Sequence, residues 1–296
     1  MFCQIVIVVR IIYLVENKEV IMLKKIVEYL KKHPVIAATL TVIFGTICVY
    51  TVPVENNFHR FLVRAMLCGF VSFVLYQISG EKTFESSYKN TGYVLKYFTA
   101  FLVISLIQGV ILLLGNIQSS TMVDNPVIGL LNTFLFFISV GLFEELLFRA
   151  VINDAILYEF RDKKNVFLII ALVSSLVFGA IHTVDVDVTS LTAWALAIGK
   201  TLETAVFGFA SLILYWKTRN VWACGIAHGL YDFFTAFSTG IFQSAQEATS
   251  YVAVNDNSSY SLIMYGVRTV IALIITFIIW KKVSKTIDFE KIRKEW

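Results

Sequence analysis

The stretch 141-GLFEELLFR-149 decides how this chain is to be read. It closes an apolar run that begins near residue 127, yet it carries Glu144, Glu145 and Arg149. An ionisable side chain at membrane depth costs about 2.5–3.5 kcal/mol on insertion scales, so three of them in one membrane segment call for a purpose.

Composition places the segment in a membrane. The 296 residues are 57% hydrophobic, 15% aromatic and 16% charged, with a mean hydropathy of +0.75. Soluble domains run nearer ~45–50% apolar and ~25% charged, so an ordinary soluble globule is excluded. The net charge of +4 arises from 25 Lys plus Arg against 21 Asp plus Glu, spread between the apolar runs rather than gathered in one tract. Nucleic acid is therefore not an expected partner. Cys3, Cys48, Cys68 and Cys224 are scattered without a C-x-x-C pair and read as small apolar residues rather than as a disulfide or zinc framework.

Runs approaching the roughly 20 apolar residues that cross ~30 Å of hydrocarbon as a helix occur near 35–54, 61–78, 97–117, 127–148, 166–184, 191–216, 221–237 and 260–280. Lys and Arg cluster before the first run and after the second, fourth, sixth and eighth, whereas loops 118–126, 185–190 and 238–259 contain none and 55–60 only Arg60. By the excess of basic residues in cytoplasmic loops, this alternation predicts an all-α, polytopic membrane bundle of about eight transmembrane helices. Both termini are then cytoplasmic, and the chain is a multi-pass protein of the cell membrane. Residues 22–296 read as one integral membrane domain. Residues 1–21 are apolar but short, are split by Arg10 and lack a cleavage site. They stand as an N-terminal extension of uncertain status, either an upstream misreading ahead of Met22 or a peripheral segment.

Helical spacing sorts the polar residues. Glu145 and Arg149 stand at i and i+4, where a carboxylate and a guanidinium pair. Glu144 lies about 100° round the same helix with no such partner. Glu144 lies 19 residues before Lys163, in the charged turn 161-RDKKN-165, and His182 lies 19 after it. Equal distances along an antiparallel hairpin mean equal depth, so the two can face each other. His228 and Asp232 again stand at i and i+4. Each cluster has a purely structural reading: a neutralised pair for Glu145 with Arg149, an interfacial or core histidine for His182, an oriented pair for His228 with Asp232. Lys200 with Glu203, and Arg64 and Arg268 near the ends of their runs, read as neutralised or snorkelling charges. Three polar clusters on three separate spans are hard to explain as unrelated structural pairs.

Peptide hydrolysis needs an activated water, a general acid or base, and donors for the developing oxyanion. A free Glu beside a His can deprotonate water, and a second His supported by Asp can donate to the oxyanion. One Glu and two His also form the shell of a catalytic zinc with an open fourth position. H-E-x-x-H, G-x-S-x-G and P-loop signatures are absent.

The segments 144-EELLFR-149, 178-FGAIH-182 and 228-HGLYD-232 resemble the motifs E-E-x-x-x-R, F-x-x-x-H and H-x-x-x-[N/D] of the CAAX protease and bacteriocin-processing (CPBP, Abi) family of intramembrane endopeptidases. The resemblance covers about 127–240. It implies a catalytic core there, with the active site in a cavity within the membrane. Glu144 would activate water together with His182, while His228 and Asp232 would form the oxyanion site. Glu145, Arg149 and Phe178 would support the site. Asp232 stands where many members carry Asn, and a carboxylate there can instead orient His228 or contact a metal. The resemblance leaves two mechanisms open, one through Zn2+ held by Glu144, His182 and His228, the other through glutamate and water alone. The expected partner is a membrane-associated peptide or protein in the lipid bilayer, a bacteriocin-like or signalling peptide ahead of a prenylated CAAX substrate. The alternative is a non-catalytic membrane regulator or bacteriocin self-immunity protein on the same fold.

Overall fold

A computed structural model describes residues 22, 24–85, 90–184, 186, 188–243 and 258–295. The extension 1–21 lies outside the described residues. Among these, the long elements are all helical: α1 (Pro34–Thr51), α2 (Asn57–Ser79), α3 (Thr91–Ser119), α4 (Pro126–Glu145), α5 (Ile152–Phe160), α6 (Val166–Ile181), α7 (Leu191–Thr218), α8 (Val221–Ala236) and α9 (Ser258–Val283). A six-residue π-helical segment, Leu146–Val151, joins α4 to α5 without a break.

Local chemistry starts these helices where they start. Asn56, Asn125, Ser190 and Asn220 each accept a backbone N–H three residues on, from His59, Ile128, Ala193 and Ala223, which satisfies a donor that the helix itself leaves open. Pro34 and Pro126 occupy first-turn positions, where a missing N–H costs nothing.

Among the described residues, six helical runs are long and apolar enough to cross a membrane: α1, α2, α3, the continuous Pro126–Phe160 arm, α7, and α9 with its following turn. Large apolar side chains such as Ile107, Ile111, Leu114, Ile274 and Phe277 stand exposed on their outer faces, the surface that lipid covers. The chain is an integral, multi-pass, all-α membrane protein. Helices occupy the eight expected places, but α6 and α8 hold only 16 residues each. At ~1.5 Å per residue such a helix falls short of the ~30 Å hydrocarbon core. Helix α6 stops at Ile181 with His182 as its C-cap, and α8 passes into a 3-10 turn at Phe237–Gly240.

Small residues set the closest approach in the bundle. A Cβ placed on Gly141 of α4 would stand 2.3 Å from both the carbonyl oxygen of Gly225 and the amide nitrogen of Gly229 on α8. A Cβ on Gly229 would come 2.7 Å from the Ile138 Cα. These three glycines let the two backbones touch, the usual way membrane helices gain dispersion contact where lipid offers no hydrophobic drive. The contact lies one turn from Glu144 and Glu145 on α4 and flanks His228 on α8.

A second polar cluster lies farther along the same arm. Asp154 of α5 is fully buried. It accepts hydrogen bonds from Thr83 Oγ1 (2.7 Å), Asn153 Nδ2 (2.7 Å) and Arg219 Nη2 (2.8 Å). Asn153 in turn accepts from Trp216 Nε1 at 2.7 Å.

Candidate functional site

Glu144 and Glu145 are the last two residues of α4, and Arg149 falls in the π-helical segment. Such a widened turn usually marks a functional position in a helix. Ser174 of α6 donates to the Phe148 carbonyl inside it at 2.8 Å, tying the arm to the neighbouring helix.

Glu145 is completely enclosed and fully engaged. Its Oε2 accepts from Ser211 Oγ of α7 at 2.5 Å and lies 3.2 Å from Arg149 Nε. Its Oε1 lies 2.9 Å from His228 Nδ1. A carboxylate accepts, so Nδ1 of His228 is the donor in that bond. The Arg149 guanidinium lies 4.0 Å from the Phe178 ring centroid, a cation–π contact between two fully buried side chains. Phe178 also meets the rings of His182 and His228 edge to face, at centroid distances of 4.9 and 5.8 Å. The glutamate, arginine and phenylalanine of the three motifs thus form one scaffold beneath the two histidines.

Glu144 is the opposite case. It is buried, and its Oε2 has no hydrogen-bond partner. That oxygen stands 3.9 Å from His182 Nε2 and 3.8 Å from His228 Nε2, too far for direct hydrogen bonds. Nδ1 of His182 lies 2.7 Å from the Phe178 carbonyl oxygen. A carbonyl only accepts, so Nδ1 carries the proton there, and Nε2 is the ring nitrogen turned toward Glu144. Nε2 of His228 lies 3.5 Å from Asp232 Oδ2. Each nitrogen of His228 therefore meets a carboxylate, and the ring can donate from both.

These groups end one side of a cavity of about 260 Å³. Its walls are otherwise mainly aromatic and aliphatic, including Phe101, Phe136, Phe207 and Ile271, with a second polar edge at Lys200, Glu203 and Arg268. Glu203 lies 3.1 Å from Arg268 Nε and 3.8 Å from Lys200 Nζ.

All seven residues singled out from the three motifs meet at this place. Spacing along the chain did not reveal four others. Arg64 of α2 is buried, with Nη1 4.0 Å from Glu144 Oε1 and its guanidinium over the Phe143 ring at 5.2 Å. It is therefore not a snorkelling charge. Ser211 holds Glu145, Tyr231 lines the cavity, and Phe207 packs on the His228 ring at 4.9 Å. For Arg64, Ser211 and Phe207 the common signal is a polar or aromatic residue facing inward on a span without a motif, which one sequence does not separate from ordinary packing, whereas Tyr231 occupies an unspecified position inside 228-HGLYD-232. The orienting partner of His228 also differs from the expected one. Glu145 holds its Nδ1, whereas Asp232 sits at Nε2, on the cavity side.

A catalytic zinc takes its ligands at ~2.0–2.2 Å, which sets neighbouring donor atoms ~3.4 Å apart in a tetrahedral shell. Glu144, His182 and His228 stand wider than this, and among the described residues no three His, Cys, Asp or Glu side chains converge to hold a metal ion.

Residues 125–234 match the family model of the type II CAAX prenyl endopeptidase Rce1-like proteins, the CAAX protease family that the three motifs resemble. The match spans α4 to α8 and includes every motif residue of the site. No curated protein and no solved structure matches the chain.

Proposed function

We propose, from this Rce1-like segment, that the protein is an intramembrane endopeptidase that hydrolyses a peptide bond in a membrane-associated peptide or protein. The observation that carries the reading is the bare Oε2 of Glu144, buried at the cavity wall and flanked by two imidazole nitrogens 3.8 and 3.9 Å away. A water there would donate one hydrogen to Glu144 Oε2 and the other to His182 Nε2, leaving an oxygen lone pair toward a substrate carbonyl. Holding water and carbonyl in this arrangement supplies much of the effective concentration that catalysis needs.

Glu144 takes the water's proton as the oxygen bonds to the carbonyl carbon, and the carbonyl oxygen becomes an oxyanion. His228, its Nδ1 held by Glu145, donates from Nε2 to that oxyanion, where a preorganised donor in a water-poor site is most effective. Collapse re-forms the carbonyl, breaks the C–N bond and passes the proton from Glu144 to the departing amine. One water is consumed, and a carboxylic acid and an amine are released. Asp232 faces the same nitrogen of His228, so we assign it the setting of that donor's direction. The apolar walls suit a lipid-embedded peptide better than a soluble one. A bacteriocin-like or signalling peptide ranks ahead of a prenylated CAAX sequence as substrate.

The test is hydrolysis of a panel of membrane peptides by the detergent-purified chain, read by mass spectrometry with and without a zinc chelator. Cleavage lost in Glu144→Gln and His182→Ala and retained under chelation is the expected result. Full activity in Glu144→Gln would sink the mechanism, and chelator sensitivity would return the zinc alternative. A wild-type protein that binds peptides but cleaves none would leave the non-catalytic regulator.

A further inference from the structure

Glu144 borders two cavities. The second is small, about 20 Å³, and is bounded by Thr46, Tyr50, Arg64, Phe143, Leu147 and His182, among others. It shares only Glu144 and His182 with the large cavity. The two oxygens of one carboxylate are thus differently placed. Oε2 stands by the imidazoles, and Oε1 stands 4.0 Å from Arg64 Nη1.

A buried water needs roughly 10–15 Å³ and two to four polar neighbours. The small cavity has that room, and Glu144, Arg64, Tyr50 and His182 supply the neighbours. Its position adds a route. Helices α1 and α6 end at Thr51 and Ile181, and the Tyr50 hydroxyl donates to the Ile181 carbonyl at 2.9 Å. Two helix ends therefore meet beside Glu144, and the chain beyond α1, 51-TVPVENNFHR-60, is polar and largely exposed where flanking spans are apolar.

Hydrolysis consumes one water per turnover, and a peptide seated in the large cavity blocks approach from that side. We propose that the small cavity is a water site feeding Glu144, entered between the ends of α1 and α6. Arg64 is the positioning residue that holds Oε1 so that Oε2 stays turned to the water. The supply role rests on the hydrolytic reading of Glu144, whereas the water site does not.

The experiment therefore has two arms on the full chain in detergent. In the first, brief X-ray radiolysis generates hydroxyl radicals from bound water, and oxidation of the buried Phe143 is read by mass spectrometry. Phe143 labels in the wild type, and its labelling falls severalfold in Thr46→Leu, which fills the cavity. In the second, Thr46→Leu lowers kcat about tenfold with KM unchanged, a loss confined to the chemical step. Val49→Leu fills the same cavity from the next turn and guards against a folding defect in either variant. Arg64→Met lowers kcat in the same way and Arg64→Lys restores part of it, a rescue that a packing role would not show. Unlabelled Phe143 in the wild type, or wild-type kcat in both cavity-filling variants, overturns the proposal. Labelling without any cleavage by the wild type overturns the protease reading and the supply role together, and leaves the water site standing.

Discussion

Two carboxylates on one helical arm, ten residues apart in sequence, are both buried, yet they live in different conditions. Asp154 accepts three hydrogen bonds of 2.7–2.8 Å, one from a guanidinium. Glu144 has an enclosed oxygen with no hydrogen bond and two imidazole nitrogens just out of reach. Burying a charge is costly unless its lone pairs are met. Asp154 meets that demand within the protein, while Glu144 leaves it unmet toward a cavity. The saturated group is a fastening and the unsaturated one a reagent, although a hydropathy plot shows both as the same kind of blemish.

The sharpest way to break this comparison is to neutralise each carboxylate in turn. Glu144→Gln should lower kcat by about 10³-fold, within the range for loss of a general base, while lowering the melting temperature in detergent less than Glu145→Gln does, because Oε2 gives up no hydrogen bond and the Arg64 contact is a long one of 4.0 Å. A Glu144→Gln protein that unfolds early would show that the two groups do not differ as stated. Glu145→Gln should damage both properties. It strands the fully buried Arg149 and costs about 3 kcal/mol, and it frees the His228 ring, so kcat falls alongside the melting temperature. Asp154→Asn should cost about 2 kcal/mol, from weakened bonds to Thr83 and Arg219, while activity per folded molecule stays close to wild type. A kcat loss as large as that of Glu144→Gln would erase the distinction. The smallest effect is expected at the far edge of the cavity. Arg268→Met leaves Glu203 its contact with Lys200 and should change KM less than about tenfold at constant kcat, measured on any peptide the wild type cleaves.

The sequence made much of this visible because membrane burial is selective about charge. The eight helix positions followed from apolar runs, and Glu145 with Arg149 followed from i, i+4 spacing. The approach of Glu144 to His182 followed from equal distances to the 161–165 turn. What stayed hidden depended on contacts between distant spans. Arg64 lies 80 residues before Glu144, and no periodicity links them. His228 appeared matched to Asp232 because both lie on one helix, yet its Nδ1 reaches across to Glu145. The short α8 was already visible in its 17-residue run, 221–237, whereas α6 stops three residues before its run 166–184 does.

The widened turn at Leu146–Val151 lies between the two carboxylates compared above. A regular helix advances about 100° per residue, so a π-helical turn, which holds one residue more, resets the phase of everything that follows. Chain length is then an informational variable in this arm, independent of residue identity. Deleting Ala150 or Val151 would keep Arg149 and every other side chain of both clusters and still swing Asp154 about 100° out of step with Glu144. The arm encodes the relation between its reactive and its fastened halves as a count.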